Sequence, residues 1–234
     1  MTLFDRLKLQ LRPLALELFV VTVGILLALG VDAWWQAKSD RHEERVILVA
    51  LRSEFEQARG ELSDARAIHE THQASAEQLL GMVGAPSPVL GDDSLGALWG
   101  RVIRYTTYDP SIGVLTALLA SGRLHLIEDH ELRSALAAWP SLLADAADSE
   151  DDARAMLMER FLPWLVTVSA IPNATEGLLP AGTLPTNYEL LLNSPTFEGY
   201  LRIMITSDRI MLLENTGLMT EIDSIVSWID RSLD

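Results

Sequence analysis

The sequence has 234 residues, enough for one sizeable domain or two small ones, and its 49% hydrophobic and 22% charged residues indicate a folded chain. It contains no cysteine, which excludes disulfides, thiolate metal sites and cysteine nucleophiles. The formal net charge of −15 arises entirely within residues 46–234, because residues 1–45 balance six basic against six acidic residues. So acidic a domain repels phosphate backbones, and no nucleic-acid partner is expected.

A short basic amphipathic tail (residues 1–13) precedes the apolar run LALELFVVTVGILLALGVDAWWQ (14–36), which predicts a transmembrane anchor at residues 14–35. Eighteen helical residues rise about 27 Å, close to the ~30 Å hydrocarbon core. Trp34 and Trp35 follow where an interfacial aromatic belt would lie. A cleaved signal peptide is the alternative, but no convincing small-x-small cleavage site follows the run, and Asp32, Trp34 and Trp35 suit an anchor better.

One face of this predicted span carries Glu17, Gly24, Ala28 and Asp32 within a sector of about 80°. The first interpretation is that Glu17 extends toward the interface, since charges at helix ends are cheaper than central ones. The second is that the face is a helix–helix seam, because the Gly24–Ala28 pair allows two backbones to approach closely.

From this arrangement we expect the protein to be located in the inner (plasma) membrane of a bacterium. Basic residues flank both ends of the span and do not decide its orientation. A short basic tail before a long acidic domain is typical of a signal anchor, so we expect a single-pass protein with a cytoplasmic N-terminus and a periplasmic bulk. The expected partners are the lipid bilayer and either further copies of the chain or a membrane protein.

The proline pattern predicts an all-α fold built on two long helices. No proline lies between Pro13 and Pro86, which favours a helix over about 40–84 that continues from the anchor. A second proline-free stretch predicts a C-terminal helix over 196–232. Both carry a heptad seam, at positions 48, 51, 55, 58, 62, 65, 69, 72, 76, 79 and 83 and at 197, 201, 204, 208, 211, 215, 218, 222, 225 and 229.

Two such seams at opposite ends of one domain (36–234) predict an antiparallel pair inside a helical bundle. The alternative is that each seam forms its own homo-oligomeric coiled coil. Between the two, shorter helices are expected within 93–170, with Asp129 capping one and Asp148 another, and with Pro163 ending or kinking the last. A proline-rich loop is expected over 171–195.

Polar residues interrupt the two seams and suggest a register. Pairing Leu48 with Ile229 places Leu62 opposite Asn215 and His69 opposite Asp208. Buried polar groups need partners and can fix a register, so His69, His72, Asp208 and Asn215 are predicted to form a buried polar layer. The prediction requires the side chains of His69 and Asp208 to lie within about 6 Å of each other.

No motif identifies a reaction. His69 and His72 share a helix face but supply only half of a metal site, without the HExxH pattern, and His125 and His130 flank a turn. The acidic residues from Asp145 to Asp152 lack the spacing and glycine of an EF-hand. The sequence therefore predicts no catalytic residues, no metal and no cofactor.

The anchor ELFVVTVGILLALGVDAWW resembles that of a bacterial family of single-span membrane proteins described as a domain of unknown function. The internal segment ALLASGRLHLIEDHELRSALAAW is similar to the same family's Ser-Gly turn, Leu-x-Leu-Ile stretch and capped helix. The resemblance implies a membrane address and a helical domain, and it supplies no activity.

Three classes of function remain from the sequence. The first is a membrane-anchored helical interaction or scaffold protein of the bacterial envelope. The second is a membrane-proximal sensor module that binds a small ligand between helices and acts through a partner protein. The third is an enzyme dependent on a metal or on carboxylates, which has the least support because no catalytic motif is present.

Overall fold

The computed structural model describes residues 3–85, 90–171 and 183–234, without the side chains of residues 3–19 and Asp92. The described residues form helices and no strand, so the predicted all-α fold is confirmed. The helices are α1 (Leu3–Leu80), α2 (Asp92–Val102), α3 (Gly113–Ala120), α4 (His130–Ala155), α5 (Leu162–Val168), α6 (Tyr188–Leu192) and α7 (Pro195–Leu233). A 3₁₀ turn lies at Arg123–Leu126 and a π-helical turn at Met156–Phe161.

The two long helices α1 and α7 form the frame of the bundle and run antiparallel. Arg52 pairs with Asp230 at 2.7 Å, and Arg59 pairs with Asp223 at 2.8 Å, so the register runs in opposite directions along the two helices. Both heptad seams are buried against each other and against the shorter helices. The alternative of two separate coiled coils is therefore wrong for this chain.

Two apolar clusters fill the bundle. The first cluster lies nearer the N-terminal half of α1 and takes residues from α1, α3, α4 and the end of α7. Its largest buried members are Leu48, Leu51, Phe55, Leu62, Leu115, Ile127, Leu136, Trp139, Ile222, Ile225 and Ile229. The second cluster joins the far end of α1 to α2, the π-helical turn, α5, α6 and the start of α7. Its largest buried members are Leu79, Leu95, Trp99, Phe161, Leu165, Leu191, Phe197 and Leu201.

The shorter helices agree with the prediction in one place and differ from it in two. Asp129 caps α4 as expected, accepting from the backbone N–H groups of Glu131 and Leu132. However, α4 continues through Asp148, so Asp148 caps no separate helix. The predicted loop over 171–195 contains α6, which Asn187 caps; residues 172–182 of that loop lie outside the described residues.

Pro163 lies in the first turn of α5, directly after the π-helical turn. A proline inside an α-helix removes a hydrogen bond and clashes with the carbonyl four residues before it. The wider π-helical turn accommodates this change, so the chain passes from α4 into α5 without a break.

A carboxylate of α1 supports the start of α3, whose own N-terminal residues supply no side-chain cap. Glu54 accepts hydrogen bonds from the backbone N–H groups of Val114 at 2.6 Å and Leu115 at 3.0 Å. These are donors that a helix cannot satisfy internally. At the other end, α3 finishes at the Ser121–Gly122 turn, where Gly122 adopts φ 69°.

Candidate functional site

A group of buried polar side chains separates the two apolar clusters, and we call His69, His72, Asp208 and Asn215 the polar layer. Along α1 the layer follows the first cluster at Ala65 and precedes the second at Ala76. Along α7 it lies between Ile205 and Leu218. His69 is 4% exposed, Asp208 and Asn215 are each 2% exposed, and the side chain of His72 is 12% exposed.

His72 is the centre of the layer because both of its ring nitrogens meet an acceptor. Nδ1 lies 2.5 Å from Asp208 Oδ2, and Nε2 lies 2.5 Å from the backbone carbonyl oxygen of Val102 at the end of α2. A carbonyl oxygen and a carboxylate can only accept, so each nitrogen must carry a proton. The geometry therefore requires His72 to be an imidazolium, which joins α1, α2 and α7.

Asp208 is the counter-ion of this imidazolium. Burial raises the pKa of Asp208, but the contacts with His69 and His72 lower it by more, so its pKa lies below the ordinary value and the carboxylate is ionised. His69 Nδ1 lies 3.8 Å from Asp208 Oδ1, which is an electrostatic contact longer than a hydrogen bond. The distance is within the 6 Å limit set from the sequence, although His72 is the closer partner.

Glu150 of α4 lies beside the layer and is 4% exposed. Its two carboxylate oxygens accept from the backbone N–H of Tyr108, at 3.1 and 3.0 Å, and its backbone carbonyl accepts from the Tyr105 hydroxyl at 2.9 Å. Burial raises the pKa of Glu150, and the Tyr108 hydrogen bond and the nearby His69 oppose the rise. Glu150 thus fixes the connection between α2 and α3.

The tyrosines of that connection are held in their neutral form. Burial and the adjacent Glu150 charge raise the pKa of Tyr105 to about 12. Burial, followed by the charge of Glu61, also raises the pKa of Tyr108. Neither phenol is poised to exchange a proton near neutral pH, so neither is a candidate general base.

A small cavity of about 30 Å³ borders the layer. Its wall combines polar side chains of the layer and the connection with apolar side chains of the π-helical turn and α7. The lining residues that matter here are His69, His72, Arg104, Asp208, Met156 and Met204. The volume accommodates one or a few water molecules, whereas sites for organic ligands measure roughly 300–1,000 Å³.

The structure brings together three of the four residues predicted for the layer, and Asn215 lies one heptad further along α7. Asn215 is buried, and its Nδ2 has no hydrogen-bond partner among the described atoms. No group of three His, Asp or Glu side chains in the described part of the chain is arranged to hold a metal ion. His125 and His130 lie at the 3₁₀ turn and the start of α4, far from the layer in sequence and outside its contacts.

Glu150 is the residue that the sequence analysis missed, and a signal for it exists. The buried face of α4 passes through positions 132, 136, 139, 143 and 146 in steps of four and three. The next step reaches 150, so a carboxylate occupies a position where the pattern demands an apolar side chain. The same pattern had already identified Asp208 on the C-terminal seam.

The predicted anchor behaves differently from the bundle. The part of α1 from Val20 onward is long and apolar enough to cross a membrane, and none of its most apolar stretch is buried. Trp34 is 61% and Trp35 67% exposed. On the predicted seam, Gly24, Ala28 and Asp32 are exposed; the side chain of Glu17 lies outside the described residues.

Comparisons of the chain with protein-family models, with curated proteins and with solved structures found no match. The resemblance of the anchor to a single-span bacterial family therefore stays a prediction.

Proposed function

We propose that this protein is a membrane-anchored helical interaction protein that scaffolds an assembly in the bacterial envelope. The observation that carries the proposal is the continuity of α1, which leaves an apolar segment from Val20 to Trp35 without a buried residue on the same helix that builds the bundle. A large exposed apolar surface marks a site of contact with lipid or protein. The bundle, in contrast, closes around its own two cores.

The cavity supports an interaction role better than a sensor role. A sensor of small organic molecules needs a pocket several times larger than about 30 Å³. His72, which lines this cavity, is also already paired within the chain, with Asp208 and with Val102. The small-ligand sensor therefore remains the second candidate, and a ligand site beside the polar layer requires this cavity to open.

The topology belongs to the same proposal. We place residues 1–13 in the cytoplasm, the span at 14–35 in the inner membrane and residues 46–234 in the periplasm. C-terminal fusions test this placement: a periplasm-dependent reporter enzyme should be active, and a fluorophore that matures only in the cytoplasm should be dark. The reverse pattern would overturn the topology and leave the anchor in place.

Crosslinking in native membranes tests the interaction role. A Cβ built at Gly24 meets no atom of the chain within 4 Å, so a substitution there does not disturb the described fold. Gly24→Leu should abolish crosslinked species of the full-length protein if this face contacts another helix, because the added side chain blocks close approach.

The matched control is Leu26→Ala, at a neighbouring position that is 63% exposed and faces another direction. It should leave the crosslinks in place. Equal loss in both variants would point to general damage to the span. The absence of any crosslinked protein in wild-type membranes would overturn the proposed function.

A further inference from the structure

The connection between α2 and α3, residues 103–112, is the part of the bundle whose attachment depends most on titratable groups. Three contacts hold it. His72 Nε2 donates to Val102 O immediately before it, the Tyr105 hydroxyl donates to Glu150 O, and the Tyr108 N–H donates to the Glu150 carboxylate. Ile103 and Arg104 donate backbone hydrogen bonds back to the end of α2. His72 and Glu150 anchor the stretch beyond them, which lies outside the helices.

We propose that His72 is a proton-operated clamp, which attaches the end of α2 to α1 and α7 as an imidazolium and releases it on losing a proton. The inference is independent of the membrane proposal, because it rests only on contacts within the bundle. It gives the polar layer a role as a sensor of acidity around the domain.

The direction of the change follows from the two acceptors of His72. A neutral imidazole retains one N–H, and the stronger, charge-assisted bond is the one to the Asp208 carboxylate. The proton is therefore lost from Nε2. The lone pair that remains on Nε2 then faces the lone pairs of Val102 O, only 2.5 Å away, so a hydrogen bond becomes a repulsive contact.

The charged groups around His72 determine that His72 is the group that loses a proton. Asp208 stays ionised and holds the proton on Nδ1, as its lowered pKa indicates. The cavity next to His72 gives water a place from which to exchange the second proton. The other titratable or charged groups near the layer are His69 of α1, Arg104 and Tyr105 of the connection, Asp151, Glu150 and Arg154 of α4, and Glu214 of α7.

The clamp is tested on the full-length chain in lipid nanodiscs. Selective ¹⁵N labelling of histidine reports the protonation of each ring nitrogen. We expect both nitrogens of His72 to be protonated at about pH 6 and Nε2 to lose its proton as the pH rises. In parallel, hydrogen exchange of residues 103–112, corrected for the intrinsic rate, should become roughly three- to tenfold faster by about pH 9, as expected from losing one hydrogen bond.

Two variants separate the clamp from a general effect of pH. His72→Gln carries no titrating proton, so the pH dependence of exchange in residues 103–112 should fall to the part that Glu150 contributes through Tyr108. His125→Gln replaces an exposed histidine of the 3₁₀ turn and should retain it. A neutral His72 at about pH 6 in the wild-type protein would overturn the proposal, and so would an unchanged pH dependence in His72→Gln.

Discussion

The two apolar clusters reach the same degree of burial by different means. The first cluster is mainly aliphatic, and it contains an edge-on aromatic contact, of Phe55 against Trp139 at 5.3 Å. The second cluster is centred on a stack of rings, in which Trp99 lies 4.9 Å from Phe197 and 6.0 Å from Phe161. Each ring of that stack comes from a different element.

This difference shows which kind of contact holds each half of the bundle together. The first cluster is built by long helices whose repeating aliphatic residues make many similar contacts. When one contact is lost, repacking of the neighbouring residues therefore compensates for part of the lost stability. The second cluster gathers short elements that could not fold alone, and a few large rings hold them together. We therefore expect the second half to be the more sensitive to a single substitution.

Trp99→Ala should produce the largest loss. It removes a fully buried ring that contacts both Phe161 and Phe197, and such truncations cost about 3–5 kcal/mol of the free energy of unfolding. Denaturant unfolding of the full-length protein in detergent measures the total. Hydrogen exchange shows where the loss falls, and we expect α2, α5 and α6 to lose more protection than α3.

The control is Trp34→Ala, which removes the same type of side chain from a position that is 61% exposed. It should leave the unfolding free energy of the bundle unchanged. If Trp99→Ala lowered protection equally in α2 and α3, the two clusters would form one cooperative unit and the distinction between them would fail.

The polar layer divides the clusters, and Asp208→Asn tests how strongly it joins them. The variant removes the counter-ion of His72, and losing a hydrogen bond to a charged group costs about 1.5–3 kcal/mol. Adding His72→Gln to it should cost less than the sum of the two single changes, because either change alone strands the other partner. Additive losses would mean that the two side chains do not act as a pair.

Glu150 makes the stability of the bundle depend on pH in a defined direction. Its pKa is raised in the folded state, so folding binds its proton more tightly. The stabilisation is complete below its ordinary pKa of 4.5 and is lost as the pH rises through the folded pKa. Within that window the unfolding free energy should fall by up to about 1.4 kcal/mol per pH unit.

Glu150→Gln should flatten this slope while keeping an acceptor for the Tyr108 N–H. Asp208 has the opposite sign: its pKa is lowered, and its contribution is lost on acidification below 3.8, outside the Glu150 window. Chemical denaturation at a series of pH values above 4.5 measures the effect. An equal slope in wild type and Glu150→Gln would assign the pH dependence to another group.

The first cluster and the antiparallel pair of α1 and α7 could be predicted from the sequence, because their apolar residues recur at regular spacing. The seam from Leu48 to Leu79 and its partner from Phe197 to Ile229 are buried at nearly every predicted position. The polar residues that interrupt them, His69 and Asp208, were located by the same pattern. The absence of proline between Pro13 and Pro86 also implied one long helix from the anchor into the bundle.

The second cluster could not be predicted from the sequence, because its contacts join elements that are distant in the sequence. Nothing local indicates that Trp99, Phe161 and Phe197 form one stack. The π-helical turn before Pro163 was likewise not predicted, because the sequence indicated only that Pro163 would end or kink a helix. The true partner of Asp208 was missed for a simpler reason: a register pairs opposed positions, whereas the His72 side chain reaches its acceptor diagonally.

The hydrogen bonds from Glu54 to the start of α3 allow the test of the first cluster with the smallest expected effect. Glu54→Gln removes one charged acceptor from the N–H groups of Val114 and Leu115 and should cost about 1 kcal/mol, the usual value of an N-terminal cap. Glu56→Gln is the matched control on the same helix, because Glu56 makes only an exposed pair with Arg52 at 3.3 Å. The loss in Glu54→Gln should appear as faster hydrogen exchange in α3 without a change in α2, since α3 belongs to the first cluster and α2 to the second. Matching effects of the two variants would show that α3 is held by its apolar contacts alone.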